Sequence, residues 1–320
     1  MQDSDFMDRN SNSNLLEFSV VIPVFNEESN LCILHDRLSG VMQGLGKIYE
    51  IIYVDDGSTD DSFQVLSDLH SQDNHVKVIR LTRNFGQYPA VMAGFNTTRG
   101  EIIITIDADL QNPPEEIPKL IGKLNEGYDI VFGVFLRRKH SAFRRAGSKF
   151  AKWVLSRIVP LETTNLSGFR ALRSYTIDQL KLLDEKGKFL DGLLCWMGYK
   201  VGTVEVTHSE RYSGKTKYTQ LKLIRLWLDM VISFSDLPLK FAMFLGAVFG
   251  IIGLIMAVVY FIYYFVYGFT VPGFTTTIIL ITIFAGVQLL CLGIMGEYIG
   301  RMNIQIKNRP AYIVKERIDS

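Results

Sequence analysis

Between Phe241 and Gly296 the sequence contains no lysine, arginine, aspartate or glutamate. Elsewhere neither sign of charge prevails, since 34 basic residues stand against 33 acidic ones. That balance gives no broad positive field, so nucleic acid is not an expected partner. Cysteine is scarce: Cys32, Cys195 and Cys291 lie far apart without metal-ligand spacing, which excludes a disulfide framework and favours reduced thiols in a cytoplasmic setting. The five histidines form no HExxH or related cluster, which argues against zinc. No GxGxxG follows the first predicted strand and no GxxxxGK[ST] occurs, so neither a dinucleotide fingerprint nor a P-loop is present. The first residues, MQDSDFMDRNSNSN, lack the apolar core of an export signal, and residues 1–16 read as a disordered polar tail.

What is present falls into zones. From about residue 17 to 135, short β-branched runs at 18–24, 49–54, 76–81, 101–107 and 129–133 alternate with segments of helical periodicity such as Leu31, Leu34, Leu38 and Val41. Alternation of this kind predicts an α/β domain with a mostly parallel sheet covered on both faces. From 136 to 216 the pattern loosens and cations gather, with Arg137, Arg138, Lys139, Arg144 and Arg145 early and Arg170, Arg173, Arg211, Lys215 and Lys217 late. Ordinary solvated surface accounts for any one of these, whereas their clustering raises an anion-binding role.

The charge-free stretch is interrupted only by turn chemistry around Gly268, Pro272 and Gly273. Its two halves, 241–266 and 274–296, each exceed the roughly 20 residues that cross a hydrocarbon core, which predicts a transmembrane hairpin. Lys222, Arg225 and Lys240 precede the first span, Arg301, Lys307 and Arg309 follow the second, and the connecting loop has no lysine or arginine. The positive-inside rule therefore places both flanks in the cytoplasm, with 297–320 as a cytoplasmic tail. Just before the hairpin, Lys222, Arg225, Asp229, Ser233 and Asp236 form a narrow polar stripe in an otherwise apolar segment. It fits an interfacial amphipathic helix over 217–240, although packing against the soluble domain or a sister subunit would give the same stripe.

Three acidic motifs end or follow predicted strands: PVFNEE (23–28), VDDGSTD (54–60) and DADLQ (107–111). Ligands of open α/β sheets bind beyond the carboxyl ends of the strands, so their convergence there predicts one site. Asp107 and Asp109, two apart at a strand end, can face the same side. With an amide oxygen such as that of Gln111 they suit Mg²⁺ or Mn²⁺, which take hard oxygen ligands. Asn112, Pro113, Pro114, Glu115 and Glu116 need no functional reading, because they make a good helix start. The same reasoning leaves Asp107 and Asp109 unexplained, since burying them unpaired would be costly.

These motifs, joined by LTRNFGQYPAVMAGF (81–95) and a hairpin ending in GEYIGR (296–301), resemble family 2 glycosyltransferases of GT-A fold. Within that family the resemblance is to the polyprenyl-phosphate glycosyltransferases, over about residues 18 to 312. It implies a 17–216 catalytic domain that transfers sugar, with inversion, from a UDP- or GDP-linked donor to a polyprenyl phosphate such as undecaprenyl phosphate at the inner membrane. It further implies a homo-oligomer. By motif position, Pro23, Asn26, Glu27, Asp55, Asp56, Asp107 and Ala108 would line the nucleotide, and Asp109 and Gln111 would hold the metal. The family often has Gly-Asp-Phe-Arg-Leu, with the Asp cast as base, whereas this chain reads Ser167-Gly168-Phe169-Arg170-Ala171. A phosphate monoester, with a second pKa of about 6, is already largely dianionic at neutral pH and needs no such base. It needs cations, and Arg170, Arg211 and Lys217 are the expected ones, with Asp109 and Arg170 carrying the catalytic roles. Transfer to a lipid hydroxyl and an inactive membrane adaptor are the alternative readings.

Overall fold

The computed structural model describes residues 16–135, 166–183, 190–207, 237–267, 273–307 and 309–319. It comprises two units, Met1–Lys217 with Pro310–Ser320 and Tyr218–Arg309.

The first unit is built on an α/β repeat. Strand β1 (Phe18–Val24) leads into α1 (Glu28–Gly44), β2 (Tyr49–Asp55) into α2 (Ser62–Gln72), and β3 (Val76–Leu81) into α3 (Gln87–Phe95). Strand β4 (Ile102–Thr105) is followed by a single 3₁₀ turn, Pro114–Glu116, and α4 (Ile117–Asn125). Then come β5 (Ile130–Phe135), β6 (Leu166–Arg173), α5 (Ser174–Leu182), α6 (Leu190–Trp196) and β7 (Val201–Val206). The last strand, β8 (Val314–Ile318), lies beyond the apolar helices in sequence yet joins the same sheet.

Across the sheet the order is β7-β5-β6-β4-β1-β2-β3-β8. The run β4-β1-β2-β3 is parallel, β6 is antiparallel to both β4 and β5, and β8 closes the β3 edge antiparallel. Buried β-branched residues on both faces explain the parallel centre. Along β1, Val20, Ile22 and Val24 join the core that includes Leu31, Leu34, Leu38 and Leu66, while Val21 joins the opposite core with Ala90, Phe95 and Leu172. The same period of two places Ile51 and Tyr53 on the first face and Ile52 and Val54 on the second.

Two predicted strands fall where expected at 18–24 and 76–81, the strand expected at 49–54 runs one residue further to Asp55, and the other two are shifted at their ends. Strands β6, β7 and β8 were not foreseen. Residues 314–318 are therefore a sheet strand, and the helix before them runs to Ile306, where a plain tail from residue 297 was expected.

The second unit is α7 (Leu237–Tyr267) and α8 (Phe274–Ile306). Both are long and apolar enough to cross a membrane: Pro238–Tyr263 has mean hydropathy 2.6 and Ile283–Gly300 has 1.6. Phe249 meets Phe284 edge-on, and the Cys291 thiol donates to the Ala242 carbonyl at 3.6 Å, so the two helices pack together. Their outer surfaces carry exposed Leu254, Phe265, Ile281 and Leu289, an apolar exterior that a hydrocarbon environment would cover. The expected polar tail lies outside the described residues up to position 15. So does most of the expected interfacial helix.

Candidate active site

Strands β2, β1 and β4 lie side by side, with Val24 opposite Asp55 and Val21 opposite Thr105. Each therefore delivers its acidic motif to the same edge of the sheet. Two motifs are laced together by short bonds. The Asn26 amide N–H donates to Ser58 Oγ at 3.0 Å, and Asn26 Oδ1 accepts from the Thr59 N–H at 2.8 Å. The Glu27 N–H donates to Ser62 Oγ at 3.0 Å, and Glu28 Oε2 accepts from the Asp61 N–H at 2.9 Å. This lattice holds Asn26 at φ 55°, a left-handed conformation that asparagine tolerates better than most residues.

Asp55 and Asp56 differ in function within the turn. Asp55 is fully buried, and its Oδ1 accepts from the Ser58 N–H at 2.9 Å, while Arg80 Nε stands 3.5 Å from Oδ2. It shapes the turn. Asp56 reaches across to the 82–86 loop, where Oδ1 accepts from the Phe85 N–H at 2.7 Å and Oδ2 from the Gly86 N–H at 2.8 Å. Burial pushes the Asp56 carboxyl up to about 6, against the two amides that favour its charged form. Between motif and loop the backbones touch: Gly57 has φ 66°, and a Cβ there would sit 2.5 Å from the Arg83 carbonyl carbon. Only glycine fits that approach.

DADLQ turns directly off β4. Ala108 and Leu110 are buried at 3% exposure each, and Leu110 is held at φ 60°. A leucine in that region is strained by about 1–2 kcal/mol, an amount offset by burying its side chain. The bend leaves Asp107 and Asp109 at the rim, with Asp109 Oδ1 accepting from the Gln111 N–H at 3.2 Å. Gln87, at the start of α3, donates its side-chain amide to Asp107 Oδ1 at 2.6 Å. Burial, and then the charge of Asp109, push the Asp107 carboxyl up to about 6, while Arg170 pulls it down. Two carboxylates that resist joint ionisation, with hard oxygen donors, fit a divalent cation. Among the described residues no third His, Cys, Asp or Glu joins them. Such a donor set suits Mg²⁺ or Mn²⁺, whose remaining positions are filled by water and substrate phosphates.

Strand β6 forms the floor beside β4, with Arg170 opposite Thr105. Gly168 lies against Asp107, and a Cβ at this position would be 3.0 Å from Asp107 Oδ2. Its carbonyl accepts from Thr105 Oγ1 at 2.6 Å. Arg170 is 4% exposed. Its Nε donates to Thr105 Oγ1 at 2.9 Å and its Nη1 to Asp191 on α6. Arg170 was expected on the acceptor phosphate, but the fold sets it beneath the carboxylates with partners of its own, as a buried guanidinium requires. Arg211 and Lys217, the other expected acceptor cations, lie outside the described residues. Pro23, Asn26, Glu27, Asp55, Asp56, Asp107, Ala108, Asp109 and Gln111 all fall on the three adjoining loops or strand ends.

Gln87, Thr105 and Asp191 were not singled out by sequence. Gln87 sits in a motif that carried the resemblance without a role of its own. Asp191, an isolated acid at a helix start, gives no local signal.

The α/β architecture is that of GT-A enzymes. Residues 19–189 match the Glycosyl transferase family 2 profile. Over 303 residues, 94% of this chain and 95% of the other, there is 37% identity to an uncharacterized glycosyltransferase of Synechocystis. Over 306 residues, 93% of each chain, there is 36% identity to undecaprenyl-phosphate 4-deoxy-4-formamido-L-arabinose transferase of Photorhabdus laumondii. A solved structure of glucosyl-3-phosphoglycerate synthase from Mycobacterium tuberculosis, in complex with Mn²⁺, UDP and glucosyl-3-phosphoglycerate, overlaps 68% of this chain and 78% of its own. The TM-score is 0.48 and the identity 22%. The chain belongs to glycosyl transferase family 2.

Proposed function

We propose that this enzyme transfers a sugar, with inversion, from a nucleoside diphosphate sugar to a membrane polyprenyl phosphate, undecaprenyl phosphate being the expected acceptor. The observation that carries the reading is a single polypeptide joining an acidic nucleotide edge to two membrane-length helices. Relatives at 36–37% identity over 93% of their length bear the name of undecaprenyl-phosphate sugar transferases.

On this reading Asn26, Glu27 and Asp56 frame the nucleotide, and Asp56 also fixes the 82–86 loop through the Phe85 and Gly86 amides. Asp109 and Gln111 would hold Mg²⁺ or Mn²⁺, with Asp107 beside them. When bound, that cation supplies positive charge against the leaving diphosphate. Gln87 fixes the Asp107 carboxylate, and the Leu110 turn holds Asp109 to the rim. The acceptor phosphate, already dianionic near neutral pH, attacks without a base at position 168. Arg211 and Lys217 are assigned to hold it in line, because Arg170 is already engaged below the carboxylates.

Connectivity supports the topology that belongs to this reading. β8 comes after the hairpin and pairs with β3 in the sheet that precedes the hairpin. That pairing supports both ends of the hairpin lying on one side of the bilayer, and the flanking lysines and arginines support the cytoplasm as that side. A homo-oligomer belongs to the same reading.

The test is transfer of labelled sugar from a panel of UDP- and GDP-sugars to undecaprenyl phosphate in detergent, with Mg²⁺ or Mn²⁺. Label entering the lipid only when the phosphate is present supports the reading. Equal labelling of the dephosphorylated alcohol would favour a hydroxyl acceptor.

A further inference from the structure

The floor beneath Asp107 contains a charge arrangement that the proposed transfer does not by itself require. Arg170 is buried and close enough to lower the Asp107 pKa, yet its Nη1 donates to Asp191 and its Nε to Thr105 Oγ1. Gly168, two residues before Arg170, brings bare backbone against Asp107, and any Cβ there would stand 3.0 Å from the carboxylate. Gln87 Nε2 also donates to Asp107 Oδ1 at 2.6 Å. Asp191 is the only partner of Arg170 among the described residues that carries a full opposite charge.

We infer that Asp191 is a positioning residue, which with Thr105 restrains the Arg170 guanidinium so that it stays near Asp107 without pairing with it. The physical reason is competition. Guanidinium and carboxylate favour a bidentate pair wherever geometry allows. An Arg170 released from Asp191 would have Asp107 as the neighbouring carboxylate. A guanidinium paired with Asp107 would place its positive charge and bulk against the position a divalent cation would take beside that carboxylate. Asp191, whose own charge also reaches Asp107, thus keeps the guanidinium off the carboxylate edge.

This inference rests on the reading that Asp109 and Gln111, with Asp107 beside them, take a divalent cation, and its test is cation binding rather than turnover. Mn²⁺ is titrated by calorimetry into the full chain in detergent, with and without UDP, for wild type, Asp191→Asn, Arg170→Gln and the double variant. Asp191→Asn is expected to weaken Mn²⁺ binding by roughly tenfold, the scale of one nearby charge removed from a partly buried site. Arg170→Gln is expected to leave binding equal or tighter. The double variant should recover most of the affinity that Asp191→Asn loses, because the competing guanidinium is gone. Asp191→Glu, which keeps the pair, should stay close to wild type.

A purely structural ion pair predicts a different pattern, since breaking it from either side loosens the fold and the double variant gains nothing. If Asp191→Asn is folded by circular dichroism and binds Mn²⁺ as wild type does, the inference fails. It fails equally if Arg170→Gln does not rescue. Should Arg170→Gln not fold, the contrast between Asp191→Asn and Asp191→Glu decides, with equal affinities overturning the inference. Absence of Mn²⁺ binding by wild type, with or without UDP, would instead overturn the donor-site reading on which it rests.

Discussion

Replacing Asp107 by asparagine should make the ligand-free enzyme more stable while weakening its cation site. Asn keeps the volume and still presents an oxygen to Gln87 Nε2, which now holds Asp107 Oδ1 at 2.6 Å. What it removes is a charge that burial and Asp109 oppose, pushing the carboxyl from an ordinary 3.8 up to about 6. A displacement of about two units at 1.36 kcal/mol each gives about 3 kcal/mol as an upper bound. The carboxylate is only partly shielded from water, so about 1–2 kcal/mol is the expected gain after screening. For a domain of this size that corresponds to a rise in Tm of about 2–8 °C.

The sign follows from linkage. An acid whose folded-state pKa is raised costs the fold stability when ionised, so the cost is present in full above about pH 6. It is shed as pH falls from about 6 towards 3.8, where both folded and unfolded states are protonated. The difference between Asp107→Asn and wild type should therefore be largest at pH 7 to 8 and disappear near pH 4. Thermal denaturation in detergent with EDTA, at several pH values, measures it. An Asp107→Asn enzyme that is less stable than wild type at pH 7, or whose gain does not change with pH, would refute the electrostatic account of this edge.

Other outcomes follow from the same geometry. Gly57→Ala forces a Cβ to 2.5 Å from the Arg83 backbone at φ 66°, and should cost about 2–4 kcal/mol in urea denaturation. Gly168→Asp, which restores the family's usual acid, should lower activity by about tenfold or more in a transfer assay. Its Cβ would meet Asp107 Oδ2 at 3.0 Å and add a third carboxylate to an already opposed pair. Wild-type activity in that variant would contradict the packing. Because Asp56 and Asp107 both titrate at about 6, UDP and Mn²⁺ affinity should fall as pH drops below that value, measured by calorimetry from pH 7.5 to 5.0. A flat profile would separate the carboxylates from ligand binding.

Much of the parallel half of the sheet was legible because its strands are continuous β-branched runs whose pairing order follows the α/β repeat. The apolar hairpin was legible for a similar reason: 56 consecutive uncharged positions, 241 to 296, admit few structures. β8 was hidden because its VKERI alternation leaves only Val314 and Ile318 partly covered, with three charged residues exposed between them. Its partner β3 also lies more than 230 residues earlier, so nothing local marks it. The donor-side acids could be read from their place after strands. Arg170's true neighbours could not, because Thr105 comes from β4 and Asp191 from α6, and only the antiparallel register of β6 brings them together. An arginine beside a missing acid looked from the sequence like a ligand-facing cation, whereas its burial makes it part of the floor.

The central claim is that the acidic edge and the apolar hairpin serve one reaction, delivery of sugar to a lipid phosphate. The most direct measurement compares undecaprenyl phosphate with undecaprenol as acceptors, using the purified full chain, labelled nucleotide sugars and Mn²⁺. The account predicts label in the lipid phase with the phosphate, little or none with the alcohol, and loss of transfer in Asp109→Asn. Equal transfer to both lipids, or full transfer by Asp109→Asn, would contradict it.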